Sequence, residues 1–147
     1  MILSIVEMDE VVLRQETYEV DDHLTVQSLI RDMFDTLDSA CGYGLSAIQV
    51  NRSERVFVFQ DKGRSLVFIN PVITRQWGKI VTAEEGCLSL PPVLVKVPRH
   101  KFIKIDYMDE HGTWNTNRKF RGHDARVIQH ECDHLAGKLI VDYARGK

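Results

Sequence analysis

The chain has 147 residues, 44% hydrophobic and 27% charged, with a formal net charge of −2, which suits one globular domain over residues 1–147. That balance gives no basic footprint, so direct nucleic-acid binding is not expected. No apolar run approaches the ~18 residues of a membrane span and the N-terminal MILSIVEMDE lacks a basic leader, so no membrane association and a cytoplasmic location are expected.

Leu29, Ile30, Met33, Phe34 and Leu37 recur at helical spacing, with Asp32, Asp35 and Asp38 opposite. They predict a helix over 25–41, capped by Thr25 and closed by Gly42. Strands are predicted over 55–59 and 66–69, joined by a turn at Asp61-Lys62-Gly63, with Asn70-Pro71 ending the second. Further strands are expected over 79–82, 93–97, 102–107 and 114–120, with a turn at 109–112. A last helix is predicted over 124–136, capped by Asp124 and ended by Gly137. Helix, several strands, then helix indicates an α+β domain, with antiparallel sheets packed around the C-terminal helix.

Three cysteines at irregular spacing, Cys41, Cys87 and Cys132, are not a disulfide framework. Each is a packed residue, a metal ligand or a nucleophile. The last helix reads His130-Glu131-Cys132-Asp133-His134. Histidines four apart lie about 40° from each other around a helix, so both can reach one ion. Glu131 sits beside them as a proton-transfer carboxylate, the H-E-x-x-H arrangement of metal hydrolases. A catalytic site of this kind wants a third protein ligand and an open position. Cys87, 43 residues upstream between Gly86 and Leu88, is the best candidate. Cys132 faces away by about 200°, and Cys41 is expected to pack. In the segment 42–49, Gly42 and Gly44 permit close backbone approach. Gln49 offers an amide N–H₂ to a developing oxyanion.

These segments together resemble the peptide deformylase family. GYGLSAIQ at 42–49, EGCLS at 85–89 and QHECDHL at 129–135 stand in the family's order, with Ser46 where the family usually has alanine. The resemblance implies that Cys87, His130 and His134 hold one divalent metal ion. Fe²⁺ is favoured in the cell, and Zn²⁺, Ni²⁺ or Co²⁺ are acceptable in purified material. It implies Glu131 as the catalytic carboxylate, with the Gln49 side chain and the Leu88 N–H as oxyanion donors. Gly42, Gly44 and Gly86 would bind substrate backbone, while Leu45 and Val127 would form an apolar pocket. Arg99 is expected to pair with Asp133 or Glu85. The implied reaction removes the formyl group from formylmethionyl nascent peptides, with a transient visit to the ribosome and a monomeric enzyme. The chain ends 13 residues after His134, where family members commonly continue with another helix, so a short form is expected.

Two rivals share parts of this pattern. A metallopeptidase would use H-E-x-x-H, with a histidine or carboxylate as third ligand. A structural metal site in a binding module would want four protein ligands and a closed shell.

Overall fold

The computed structural model describes residues 1–145. A short helix α1 (Glu10–Leu13) precedes a 3₁₀ turn at His23–Val26 that runs into helix α2 (Gln27–Ala40). Asp22, and not Thr25, caps this turn. Its side chain accepts from the Leu24 N–H, while the Thr25 hydroxyl donates to the Asp22 carbonyl. Leu29, Ile30, Met33 and Leu37 are buried along one face, as the periodicity predicts. The left-handed residue that ends α2 is Cys41, with φ 55, one position before the expected glycine. Cys41 is exposed and does not pack. Gly42 has a different reason to be glycine. A Cβ there would meet Leu37 at 2.9 Å and Leu88 at 3.0 Å.

Strand β1 (Gly44–Ser46) is followed by a 3₁₀ turn at Ala47–Val50. Then come β2 (Val56–Asp61), β3 (Arg64–Gly86), β4 (Leu94–Met108) and β5 (Trp114–Arg121). They form one antiparallel sheet in the order β1-β2-β3-β4-β5. Helices α3 (Gly122–Leu135) and α4 (Ile140–Ala144) complete the α+β fold. In the β2–β3 turn Lys62 and Gly63 both have positive φ, 51 and 77, the backbone a two-residue hairpin requires.

Asn70-Pro71 does not end a strand. Asn70 takes φ 51 and the register slips between Ile69 and Val72, after which β3 continues. The Asn70 amide is bonded from outside the sheet: its oxygen accepts from the Val20 N–H and its nitrogen donates to the Val20 carbonyl. The separate strands expected over 93–97 and 102–107 are likewise one, β4. Helix α3 begins at Gly122, two residues before the expected start. Asp124 lies in its first turn and is held by Arg64 at 2.9 Å, rather than capping it.

Helix α3 is pinned to the sheet by Ala125, Ile128 and Leu135, which pack against Phe57, Phe59, Phe68, Ile103 and Ile105. Burying such side chains is worth roughly 1.5–3 kcal/mol each. A second core lies between α2, β1 and β2. A third joins Leu13 to Leu139 and Ile140. Among the described residues, no helix is long and apolar enough to cross a membrane.

Candidate metal centre

Helix α3 presents His130, Glu131 and His134, and the chain leaving β3 presents Cys87. One ligand atom from each of Cys87, His130 and His134 lies within 4.8 Å of the others. The Cys87 sulfur is 3.4 Å from His134 Nε2. One sulfur and two imidazoles suit Fe²⁺, Zn²⁺, Ni²⁺ or Co²⁺, and three ligands leave a position open. The donor set therefore fits a catalytic ion. Burial and the nearby His130 hold the proton affinity of His134 well below the ordinary histidine range, so its ring is neutral.

Glu131 is 3% exposed, and its Oε1 is buried without a hydrogen-bond partner among the described residues. Burial pushes this carboxyl up to about 7. Strand β1 passes close to it. A Cβ on Gly44 would lie 2.7 Å from Glu131 Oε2 and 3.0 Å from Val127. Only glycine lets the two segments approach so closely without displacing the carboxylate.

Gln49 is 1% exposed and fixed at both ends of its amide. Its oxygen accepts from the Ser46 N–H at 3.0 Å and the Ser46 hydroxyl at 3.1 Å. Its nitrogen therefore faces the site, donating to Ser89 Oγ at 3.1 Å and towards the Cys87 sulfur at 3.6 Å. The Leu88 N–H has no backbone hydrogen-bond partner among the described residues.

Behind the ligands lies a buried ionic layer. Glu85 accepts from Arg99 at 2.8 and 2.9 Å and from Arg126 at 2.6 Å, and lies 2.9 Å from His130 Nδ1. Arg99 also reaches Asp133 at 2.6 Å, and Tyr143 donates to the same carboxylate at 2.7 Å. Burial would raise the Glu85 carboxyl, but Arg99 and His130 hold it down at about 2. An ionised Glu85 against Nδ1 leaves the other ring nitrogen of His130, Nε2, as its ligand atom. The site opens into a cavity of about 430 Å³.

Residues 2–147 match the family described as Polypeptide deformylase. The chain belongs to the peptide deformylase family. A peptide deformylase from Pseudothermotoga lettingae is 42% identical over 144 residues, which is 97% of this chain and 82% of that one. The crystal structure of the Thermotoga maritima peptide deformylase superposes with a TM-score of 0.91 at 36% identity, covering 97% of both chains. The Met-Ala-Ser-bound structure of the class I type b enzyme from Acinetobacter baumannii gives 0.90 at 28% identity, covering 97% of this chain and 99% of that one. Peptide deformylases are metal-dependent hydrolases that remove the formyl group from the N-terminus of newly made peptides.

Of the residues expected at the deformylase site, Gly42, Gly44, Gln49, Gly86, Cys87, Leu88, Val127, His130 and Glu131 line the cavity. Leu45 does not. It is fully buried in the core between α2 and the sheet, because alternation along β1 turns residue 45 away from the face that Gly44 presents. Cys132 packs against the phenylalanine cluster, outside the ligand group. Arg99 pairs with Glu85 and Asp133 together, where one or the other was expected. Tyr43 and Arg126 also line the cavity, and sequence reasoning did not single them out; His123 lines it as well. Arg126 carried a usable signal: it lies four residues before His130 and so on the same helical face.

Proposed function

We propose that Cys87, His130 and His134 hold one divalent ion and that Glu131, Gln49 and Leu88 carry out deformylation around it. The observation that carries this reading is a soft donor set converging beside a buried carboxylate oxygen with no hydrogen-bond partner among the described residues. When bound, the ion supplies Lewis acidity, polarising oxygen and lowering the pKa of water. The formylated N-terminus enters along the backbone of Gly42, Gly44 and Gly86, with the methionine side chain against Val127 and Tyr43. Glu131 accepts a proton from the attacking water and then delivers it to the departing amine nitrogen. The Gln49 N–H₂, aimed by Ser46, and the Leu88 N–H donate to the oxygen that gains charge. Glu85 and Arg99 keep His130 in register throughout.

Ferrous ion is the proposed native metal, with Zn²⁺, Ni²⁺ or Co²⁺ as substitutes, since ligand type admits all four. The substrate class is a formylmethionyl peptide, met at the ribosome by a cytoplasmic monomer. The related Acinetobacter enzyme is bound by Met-Ala-Ser, which has the form of such a product. A metallopeptidase reading is less well supported, because the third donor is a cysteine.

The test is release of formate from formyl-Met-Ala-Ser by anaerobically purified protein, with metal analysis of the same sample. Turnover with near one ion per chain is expected. Cleavage of internal peptide bonds in a blocked peptide, without formate release, would overturn the reading.

A further inference from the structure

The outer face of the sheet carries a cationic cluster that the deformylase chemistry does not use. In the paired register, Arg75 on β3 lies opposite Lys104 on β4, which lies opposite Lys119 on β5. The next row is Trp77, Phe102 and Arg121. Like charges set directly opposite on neighbouring strands destabilise a sheet, so this arrangement is costly unless something binds it. Among the described residues, none of Arg75, Lys101, Lys104, Lys119 and Arg121 takes part in an ion pair. These five are drawn from nineteen lysines and arginines in a chain of net charge −2, so the charge is concentrated here rather than spread. Asp106 borders the cluster, and its carboxylate accepts from the Asn117 N–H.

At the centre of the cluster, Trp77 and Phe102 stack with ring centroids 5.5 Å apart and an interplanar angle of 16°. Gly78 makes room for this pair, since a Cβ there would meet Phe102 at 2.6 Å. The cations lean on the rings: Arg75 lies 4.7 Å from the Trp77 centroid, and Lys119 lies 5.0 Å from that of Phe102. Lys101 and Lys104 stand 5.6 and 6.0 Å from the same rings. Both rings are partly exposed. A flat aromatic pair ringed by unpaired cations is the chemistry that holds single-stranded nucleic acid, with phosphates on the cations and bases on the rings.

We propose that this face is a docking surface for single-stranded RNA. An anionic lipid headgroup would satisfy the cations alone; the stacked pair on a flat sheet favours a polymer with both phosphates and planar bases. Arg121 ends β5 and leads directly into α3, where His123 lines the cavity. Docking here would hold the mouth of the site beside the RNA surface. The proposal depends on this face alone, so its failure leaves the metal-centre reading untouched.

The test uses the metal-loaded full chain and a fluorescent, unstructured RNA 20-mer, read by anisotropy. Binding should weaken with salt, log affinity against log salt falling with a slope of about −2 or steeper, as expected when three or more phosphates are neutralised. The triple variant Arg75→Gln, Lys104→Gln, Lys119→Gln should lose about two from that slope. Trp77→Ala should weaken binding about tenfold. Neither should change turnover of a short formyl-Met peptide, and the charge-conserving Arg75→Lys, Lys104→Arg, Lys119→Arg should keep RNA binding. A flat salt dependence in the parent protein would overturn the proposal. So would triple-variant binding within twofold of the parent. Tighter parent binding to vesicles of phosphatidylcholine with one-third phosphatidylglycerol than to RNA would overturn it in favour of a lipid surface.

Discussion

The two oxygens of Glu131 are under different constraints: Oε1 is buried and unpartnered, and Oε2 faces the glycine of β1. Gly44→Ala would push on the Glu131 carboxylate, with Glu131 Cγ and Val127 Cγ1 also crowded at 3.0 Å, and so would move the proposed proton-transfer group more than it disturbs the core. We expect kcat to fall at least tenfold while the melting temperature shifts by a few degrees or less, read by formate release and calorimetry. Glu131→Ala should lower kcat by about 10²–10⁴, the range of general acid–base catalysis, with metal content unchanged. Gln49→Ala should lower kcat by about 10²–10³, as loss of an oxyanion donor does. At Ser46 the hydroxyl fixes the Gln49 amide, so Ser46→Ala should cost roughly 0.5–1.5 kcal/mol of that orientation, seen as a severalfold drop in kcat. The His130–Glu131–His134 pattern was legible because helix geometry fixes which residues share a face. The role of Ser46 went unread, although Ser46 and Gln49 have the capping-box spacing in which the glutamine side chain reaches back to the serine N–H.

At the scale of elements, α3 is held to β3 and β4 by charge as well as by apolar packing. Arg99 is 5% exposed between Glu85 and Asp133. Arg99→Ala leaves Glu85 with Arg126 and His130 as its remaining partners and removes three charge-assisted hydrogen bonds from a buried site, so it should destabilise by about 1.5–3 kcal/mol in urea unfolding. Near the chain ends, α1 and α4 are joined by ion pairs. Arg14 reaches Glu10 and Asp142, and Arg145 reaches Glu10. Hydrogen bonds from Arg145 and Arg14 hold the Glu10 carboxyl at about 2, below its ordinary 4.5. A carboxyl depressed by folding adds stability that is present above pH 4.5 and lost as pH falls towards 2. Glu10→Gln should flatten the pH dependence of stability in that window. The effect should shrink in high salt, because these pairs are exposed. Helix α4 and these contacts were not legible: a five-residue helix carries too few turns for periodicity to register. The fusion of predicted short strands into β3 and β4 was hidden for a related reason. A proline at a bulge reads as a terminator, although tertiary bonds from Val20 carry the chain through it.

Over the whole molecule, the fold brings together groups that are distant along the chain. Cys87 and His130 are 43 residues apart, yet β3 ends where the third turn of α3 passes. Their convergence was legible first from the need for a third ligand beside two histidines, and more sharply from three motifs read jointly. The net charge, by contrast, concealed the cationic sheet face, because an average over the chain says nothing about where strand register collects like charges. The proposed chemistry requires one sulfur and two imidazoles to share one ion. X-ray absorption of the zinc-loaded protein tests this most directly. One sulfur at about 2.3 Å and two imidazole nitrogens at about 2.0–2.1 Å are predicted. A shell without sulfur, or one filled by four protein ligands, would contradict it.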